Sequence, residues 1–317
     1  MSQVPVIDLV HAEQDPSALL PLDLACRDHG FFLLENHGID EVIDEMWQAS
    51  AAFFDLPQTE KRKILRSDSI PLGFYDRELT KRKRDLKEVF DYMLPREDRT
   101  DLNQWPADQQ AFRQAMEQFF IQASDIAERT LQLVYRALNH QVGLDAGYPP
   151  GDPRTSNVRL NYYPLVDPLS GAEAGAVAGL GDMALHHHTD PGILTLLLQD
   201  MTGGLQALSK SEGWIDVTPK AGTIVVNLGD AMQVWTNDNY RAAVHRVVPM
   251  AQTARYSTPY FYNPRNDALL EPIAGLTQGA PRFNSFTWRD YIKGRVDDNF
   301  TDLGEDDIQI DKYRIAI

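Results

Sequence analysis

Near Pro149 and Pro150 the hydrophobic pattern of the chain changes from helical spacing to short strand-like runs. Before this point, apolar residues recur at intervals of three and four over residues 40–54 and 109–139, which predicts two amphipathic helices. The runs after it cover residues 158–163, 192–198, 222–228, 245–248 and 257–262. Short strands at such spacing favour a sandwich or barrel over alternating βαβ units. Helices followed by strands predict an α+β fold.

Weaker signals extend this pattern towards both ends of the chain. Residues 4–9 and 30–34 have the composition of short strands, and residues 19–28 have helical spacing. A last helix is predicted through Trp288, Tyr291 and Ile292.

The charge balance limits the partners of the chain. Its 46 acidic and 30 basic residues give a net charge of −16, which repels a polyanion, so we expect no nucleic-acid partner. The basic run 81–84 is flanked by acidic residues and predicts a solvated helix face. One cysteine, Cys26, fits a reducing compartment, and no apolar run approaches the ~20 residues of a membrane span. We therefore expect a cytoplasmic protein that is a monomer or a weak homo-oligomer.

A histidine-rich segment, residues 186–192, opens one of the predicted strands. Residues two apart on a strand face the same side, so His188 and Asp190 can project to one point. His245 begins another predicted strand and can supply a third ligand. Two imidazoles and one carboxylate on one face leave positions open on octahedral iron(II). We predict that these three residues bind a metal and that His186 and His187 do not.

Two further pairs of residues alternate on predicted strands. Arg255 and Ser257 share one face, and a guanidinium beside a hydroxyl suits a carboxylate. Asn161 and Tyr163 also share a face and can add an amide and a phenol to the same pocket.

Taken in order, these motifs and several others resemble the iron(II)/2-oxoglutarate-dependent oxygenases of the isopenicillin-N-synthase-like branch, the iron/ascorbate oxidoreductases. The resemblance spans nearly the whole chain. The matching segments are residues 5–9, 30–32, 36–38, 161–164, 188–192, 203–206, 227–230, 245–247, 255–257 and 261–264.

The resemblance implies a double-stranded β-helix (jelly-roll) core flanked by helices, within one catalytic unit. Its regions would be a mainly helical part (1–150), the jelly-roll core (151–266) and a C-terminal helical extension (267–317). His188, Asp190 and His245 would bind iron(II). Arg255 and Ser257, assisted by Tyr163 and Asn161, would bind the co-substrate 2-oxoglutarate.

The implied activity is the oxidative decarboxylation of 2-oxoglutarate, coupled to the dioxygen-dependent oxidation of a small organic molecule, with ascorbate as a further reductant. The prime-substrate pocket is expected to be lined by Phe74 and Tyr75, by Phe90 on a helix over residues 85–92, and by Phe261.

Alternatives remain open at this level. Some relatives use the arginine and serine to bind the substrate's own carboxylate and need no 2-oxoglutarate. A non-catalytic or zinc-loaded jelly-roll module is a further hypothesis. The segment 169–184, rich in small residues, departs from the family pattern and is either a lid over the site or a surface loop.

Overall fold

The computed structural model describes residues 4–67, 69–80, 83–95, 100–142, 148–274, 279–300 and 309–315. Within these ranges two β-sheets face each other, and helices cover the outer face of the larger sheet. The helices are α1 (Leu9–Gln14), α2 (Leu19–Asp28), α3 (Asp40–Phe54), α4 (Gln58–Lys61), α5 (Gln110–Val142), α6 (Gly171–Ala174), α7 (Asp230–Trp235) and α8 (Trp288–Phe300).

The strands are β1 (Val6–Asp8), β2 (Phe31–Glu35), β3 (Gly73–Tyr75), β4 (Leu79–Thr80), β5 (Lys83–Arg84), β6 (Glu88–Tyr92), β7 (Asn157–Tyr163), β8 (Leu185–His188), β9 (Leu194–Gln199), β10 (Leu205–Ser209), β11 (Gly213–Asp216), β12 (Ile224–Leu228), β13 (His245–Val247), β14 (Arg255–Tyr262), β15 (Leu269–Leu270) and β16 (Phe286–Thr287).

The larger sheet has the strand order β1-β2-β12-β9-β14-β7-β6-β3 and is antiparallel except between β1 and β2. Successive residues of its strands point alternately to two buried faces. On β12, for example, Val226 packs against the helical layer, whereas Val225 packs towards the smaller sheet. Strands that are buried on both faces carry few exposed polar residues, which explains the near-continuous apolar runs in the sequence.

The smaller sheet has the order β11-β10-β13-β8 and lies across the inner face of the larger one. A compact apolar cluster that includes Phe31, Leu197, Leu205 and Val247 fills the space between them. Two facing sheets with a helical cover are the jelly-roll α+β fold that the sequence predicted, and this prediction is confirmed.

Two local predictions are wrong. Residues 88–92 form the strand β6, not a helix, because β6 pairs with β3 on one side and β7 on the other. Alternate aromatic residues, Phe90 and Tyr92, enter the helical core and fit a strand buried on both faces. In the basic run, Lys83 and Arg84 form the strand β5, and the Arg84 side chain is buried in an ion pair with Asp167 instead of being solvated. Residues 81 and 82 lie outside the described ranges.

The described part of the first 150 residues supplies β1, β2, β3 and β6 to the larger sheet as well as the five helices α1 to α5. The division of the chain near residues 150 and 266 stays a prediction. Among the described helices, none combines the length and the apolar character needed to cross a membrane.

Candidate iron and co-substrate site

Two histidines and one aspartate meet beside the β8–β13 pair of the smaller sheet. His188 ends β8 and His245 begins β13, and the two residues are direct partners in the antiparallel pairing. Their Nε2 atoms lie 3.7 and 3.8 Å from Oδ1 of Asp190. The structure therefore brings the predicted ligands together. Asp190, however, lies in the turn after β8 and not on the strand itself.

The turn that carries Asp190 is held by the start of α7. The backbone N–H of Asp230 donates to the carbonyl of Asp190 at 2.8 Å. A Cβ at Gly229 would lie 2.2 Å from the carbonyl oxygen of Gly192, so only glycine permits this close approach. The hydroxyl of Thr195 donates to Oδ2 of Asp190 at 2.6 Å, which leaves Oδ1 directed towards the histidines.

Both imidazoles are oriented by backbone carbonyls. Nδ1 of His188 lies 2.9 Å from the carbonyl oxygen of His186, and Nδ1 of His245 lies 3.0 Å from that of Ala243. Because a carbonyl can only accept, each Nδ1 carries the proton and each Nε2 keeps its lone pair for a metal. Two such nitrogens and one carboxylate oxygen fit iron(II).

The protonation states also suit a metal. Burial, together with the neighbouring His245, lowers the pKa of His188, so its ring is neutral. Burial alone would raise the pKa of Asp190, but His245, His188 and the hydroxyl of Thr195 lower it overall. Metal binding requires neutral imidazoles and an ionised carboxylate.

Arg255 on β14 is a buried cation with unused donors. Its Nε donates to the carbonyl of Gly203 at 2.9 Å, whereas Nη1 and Nη2 are buried without a hydrogen-bond partner. Burial lowers the pKa of its guanidinium, although an arginine remains charged at any ordinary pH. A buried cation with two free donors demands an anionic acceptor, and a carboxylate matches the planar fork.

The register of the larger sheet places the other predicted residues around Arg255. Tyr163 is its partner on β7, and Asn161 is the partner of Ser257. The guanidinium carbon lies 5.1 Å from the Tyr163 ring centroid, and the Asn161 amide nitrogen lies 3.5 Å from Oγ of Ser257. All four residues line one cavity of about 220 Å³ together with the three metal-ligand candidates.

The predicted prime-substrate residues separate into two groups. Phe261 lines the cavity. Phe74 and Phe90 instead pack with Phe53 in the helical core, and Tyr75 lies against the guanidinium of Arg66. The prediction for these three residues is wrong as regards this cavity, because β3 and β6 are strands whose aromatic residues face away from it or lie at the sheet edge.

His186 and His187 stand outside the metal group, as the sequence analysis expected. The His186 ring contacts Asp182 at 3.0 Å and Asp85 at 3.6 Å. His187 is exposed beside Trp214.

Comparison with known proteins gives matches over most of the chain. Residues 154–264 match the family model of the 2OG-Fe(II) oxygenase superfamily, and residues 4–108 match that of the non-haem dioxygenase in morphine synthesis N-terminal region. Homoarginine-6-hydroxylase of Glycine max is 31% identical, with 95% of this chain and 98% of the relative covered. The chain belongs to the 2OG-Fe(II) oxygenase superfamily.

Two other relatives of this 2OG-Fe(II) oxygenase agree with that placement. 1-Aminocyclopropane-1-carboxylate oxidase 1 of Oryza sativa subsp. japonica is 32% identical, with 92% of this chain and 89% of the relative covered. A full-length Neurospora crassa protein has been solved in complex with alpha-KG (2-oxoglutarate), and its structure superimposes on this one with a TM-score of 0.77. The two sequences are 28% identical, and the match covers 93% of this chain and 96% of the Neurospora chain. The predicted family, enzyme class and requirement for iron, 2-oxoglutarate and dioxygen are confirmed.

Several residues of the oxygenase cavity were missed in the sequence. Arg159 lies on β7 with the same orientation as Asn161 and Tyr163, so the alternation that selected those two could have found it. Lys87 was hidden by the wrong prediction of a helix over residues 85–92, and Glu78 by the prediction of a solvated helix face for the basic run 81–84 that it flanks. Thr195 carries no motif of its own, and Asn227 opens the family-like segment 227–230 without having been assigned to the site. The pairing of β9 with β12 brings both residues to the cavity.

Proposed function

We propose that in this oxygenase His188, Asp190 and His245 hold iron(II), and that Arg255 binds the distal carboxylate of 2-oxoglutarate with help from Ser257, Tyr163 and Asn161. The observation that carries the proposal is the pair of unpartnered terminal nitrogens on Arg255, buried in the same cavity as the three metal-ligand candidates. When bound, iron and 2-oxoglutarate would supply the chemistry that couples the reduction of dioxygen to the oxidation of a substrate C–H bond.

The chain contributes orientation and the exclusion of water. Thr195 and the two backbone carbonyls hold the ligands in place, and apolar side chains such as Leu197, Leu205 and Val247 keep solvent from the cavity. The cavity volume of about 220 Å³ lies below the roughly 300–1,000 Å³ of pockets for drug-sized ligands. We infer a small organic prime substrate.

The charge distribution argues against nucleic acid as that substrate, since a chain of net charge −16 repels a polyanion. The cytoplasmic location and the monomeric or weakly oligomeric state remain predictions from the sequence.

The metal assignment is tested by measuring iron content and labelled succinate formed from 2-oxoglutarate. Alanine substitution of His188, Asp190 or His245 removes one of three ligands, so each variant should lose bound iron and succinate formation. His187→Ala is the control, because its exposed ring lies outside the group. Iron retained at one equivalent with normal succinate formation in His245→Ala would contradict the proposal.

A further inference from the structure

A buried ionic cluster forms one side of the cavity. Its cations are Arg66, Lys87 and Arg159, and its carboxylates are Glu78, Asp85 and Asp91. The side chain of Arg159 is 20% exposed, and the others are 5% exposed or less. Glu78, Lys87 and Arg159 line the cavity directly. Buried ion pairs add little stability compared with apolar packing, so six buried charges beside a reaction cavity point to a role in recognition.

The cluster has hydrogen-bond donors to spare. Arg159 donates through Nε and Nη2 to the two oxygens of Asp91 at 2.7 and 2.8 Å and through Nη1 to Glu78 at 2.8 Å. A guanidinium has five N–H groups, so two remain. Nζ of Lys87 lies 2.8 Å from Glu78 and 3.2 Å from Asp85, which leaves one of its three N–H groups.

Glu78 is the carboxylate of the cluster that lines the cavity, and both of its oxygens have partners. Oε2 of Glu78 faces both Arg159 and Lys87, and Oε1 accepts from Arg66 at 3.2 Å. A ligand that meets this wall of the cavity is therefore recognised through an acceptor atom.

The charge of the cluster decides whether this acceptor atom of the ligand is neutral or anionic. The three cations face three carboxylates, and the ring of His186, whose pKa is raised by Asp85, has a further carboxylate, Asp182, as a partner. A ligand carboxylate here would be repelled by Glu78, Asp85 and Asp91 and would add an uncompensated buried charge. A neutral oxygen would use the spare donors without that penalty. Arg255 differs, because no described carboxylate lies within 4 Å of its guanidinium and two of its nitrogens are unpartnered.

The two cationic regions are also separated along the sheet. Arg159 lies four residues from Tyr163 on β7, and Tyr163 is the partner of Arg255. At about 3.3 Å per residue this separates the two backbone positions by roughly 13 Å. Leu197, Pro259 and Phe261 also line the cavity, and their apolar side chains suit a hydrocarbon skeleton.

We propose that the prime substrate is a neutral molecule that presents a carbonyl or amide oxygen to Lys87 and Arg159, and that it is not a carboxylate. This rests on the proposed function, because it assumes that 2-oxoglutarate occupies the Arg255 end. Lys87 and Arg159 then determine specificity, whereas the co-substrate depends on Arg255.

The test uses the oxygen-free protein loaded with iron(II) and 2-oxoglutarate. Calorimetric titration compares matched probes of one skeleton: benzamide with benzoate, nicotinamide with nicotinate, and cyclohexanecarboxamide with cyclohexanecarboxylate. We expect at least one amide to bind roughly tenfold more tightly than its carboxylate, the equivalent of about 1.4 kcal/mol. If no amide of the panel binds more tightly than its carboxylate, the proposal is overturned.

Two variants then locate the preference. Lys87→Met removes one spare donor, and Arg159→Lys keeps the charge but loses the planar fork with its two spare N–H groups. Loss of a hydrogen bond to a charged donor should weaken the amide roughly 10- to 150-fold while 2-oxoglutarate binding stays unchanged. The matched controls are Lys63→Met and Arg113→Lys, whose side chains are 63% and 43% exposed.

The outcomes separate the two proposals. Unchanged amide binding in both variants, or an equal loss of 2-oxoglutarate binding, overturns the substrate proposal. Should Lys87→Met fail to fold because Glu78 and Asp85 lose a partner, Arg159→Lys alone decides. The proposed function is tested on its own by titrating 2-oxoglutarate into the unsubstituted iron-loaded protein.

Discussion

Arg255 lies where burial disfavours its charge. Its unpartnered guanidinium therefore requires an anionic ligand, and we can test which one it binds. Arg255→Gln should raise the apparent dissociation constant of 2-oxoglutarate roughly 10- to 150-fold, since a hydrogen bond to a charged group contributes about 1.5–3 kcal/mol. Arg255→Lys should recover part of this loss, because an ammonium keeps the charge but not the fork. The measurement is succinate formation against 2-oxoglutarate concentration at saturating iron.

Iron binding should stay at the wild-type level in both arginine variants, which serves as the internal control. A 2-oxoglutarate curve that does not move in Arg255→Gln, together with a shifted prime-substrate curve, would assign the arginine to the substrate. The assignment of Arg255 to the co-substrate would then be lost.

Thr195 affects iron only through Asp190, so it is a positioning residue. Thr195→Val keeps the shape of the side chain but removes the 2.6 Å hydrogen bond to Oδ2. Substitution of such outer partners of a metal ligand typically costs 10- to 100-fold in metal affinity. We expect that loss in an iron titration with a chelator. The control Thr223→Val removes a hydroxyl that donates to the carbonyl of Lys220 and should show no such loss. Iron affinity within a factor of two of wild type in Thr195→Val would show that Asp190 needs no such support.

The site residues that could be predicted from the sequence share one property. Asn161 with Tyr163, and Arg255 with Ser257, are spaced by two on a strand, so their common orientation follows from chain geometry alone. Thr195 reaches Asp190 across a turn, and nothing in its local sequence distinguishes it from other strand threonines. Contacts of that kind become visible only when the turn is placed against α7.

At the scale of elements, the pairing of β6 with its neighbouring strands outweighed the local sequence pattern, which had predicted a helix. Glu88 to Tyr92 contains charged residues at a spacing that resembles a helix face, yet a central sheet position buries both sides of the strand. The long helix α5 and the helix α3 were predictable because their periodic patterns extend over 33 and 15 residues. The helix α2 was predicted with its observed ends, although it is short.

The segment 169–184 is tied to the N-terminal part of the chain by polar contacts. Its short helix α6 carries Glu173, which accepts from Arg62 at 2.6 Å. Gly179 and Gly181 make backbone hydrogen bonds to Arg84, whose side chain pairs with Asp167. These contacts join the segment to Arg62 and to the strand β5.

Loosening this segment should expose the cavity to solvent. The double variant Asp167→Asn, Glu173→Gln should increase hydrogen exchange over 169–184 and raise succinate formation without prime substrate, because closure shields the reactive centre from side reactions. Glu60→Gln breaks an exposed pair with Lys63 and is the control. Faster exchange with unchanged succinate formation would make the segment a passive surface loop.

For the whole molecule, the pH dependence of stability follows from carboxylates whose pKa is lowered by folding. The pKa of Glu78 lies well below its ordinary value because Arg159, Lys87 and Arg66 outweigh the effect of burial. Arg314, Gln233 and Arg282 likewise lower the pKa of Asp238. A lowered pKa stabilises the fold above the unfolded-state value, about 3.9–4.3 for these groups, and the stabilisation is lost as pH falls further.

We therefore expect the thermal unfolding midpoint to fall as pH is lowered from about 5 to 3. The measurement is circular dichroism at 0.15 M salt, where a screening length of about 8 Å suppresses repulsion between surface charges but not the buried pairs. Arg314→Gln should unfold at a lower temperature at neutral pH and show a shallower acid decline. A midpoint that rises steadily down to pH 3 would contradict this account.

The pairing of β2 with β12 has a consequence for folding during synthesis on the ribosome. The backbone of Phe31 to Leu34 pairs with residues 224–227, which follow about 190 residues further along the chain. At a synthesis rate of roughly 5–20 residues per second, this apolar strand waits some 10–40 s for its neighbour. During that interval it is a target for chaperones and for association between nascent chains. Slowing translation between residues 35 and 224 should therefore reduce the yield of folded enzyme more than slowing it after residue 262.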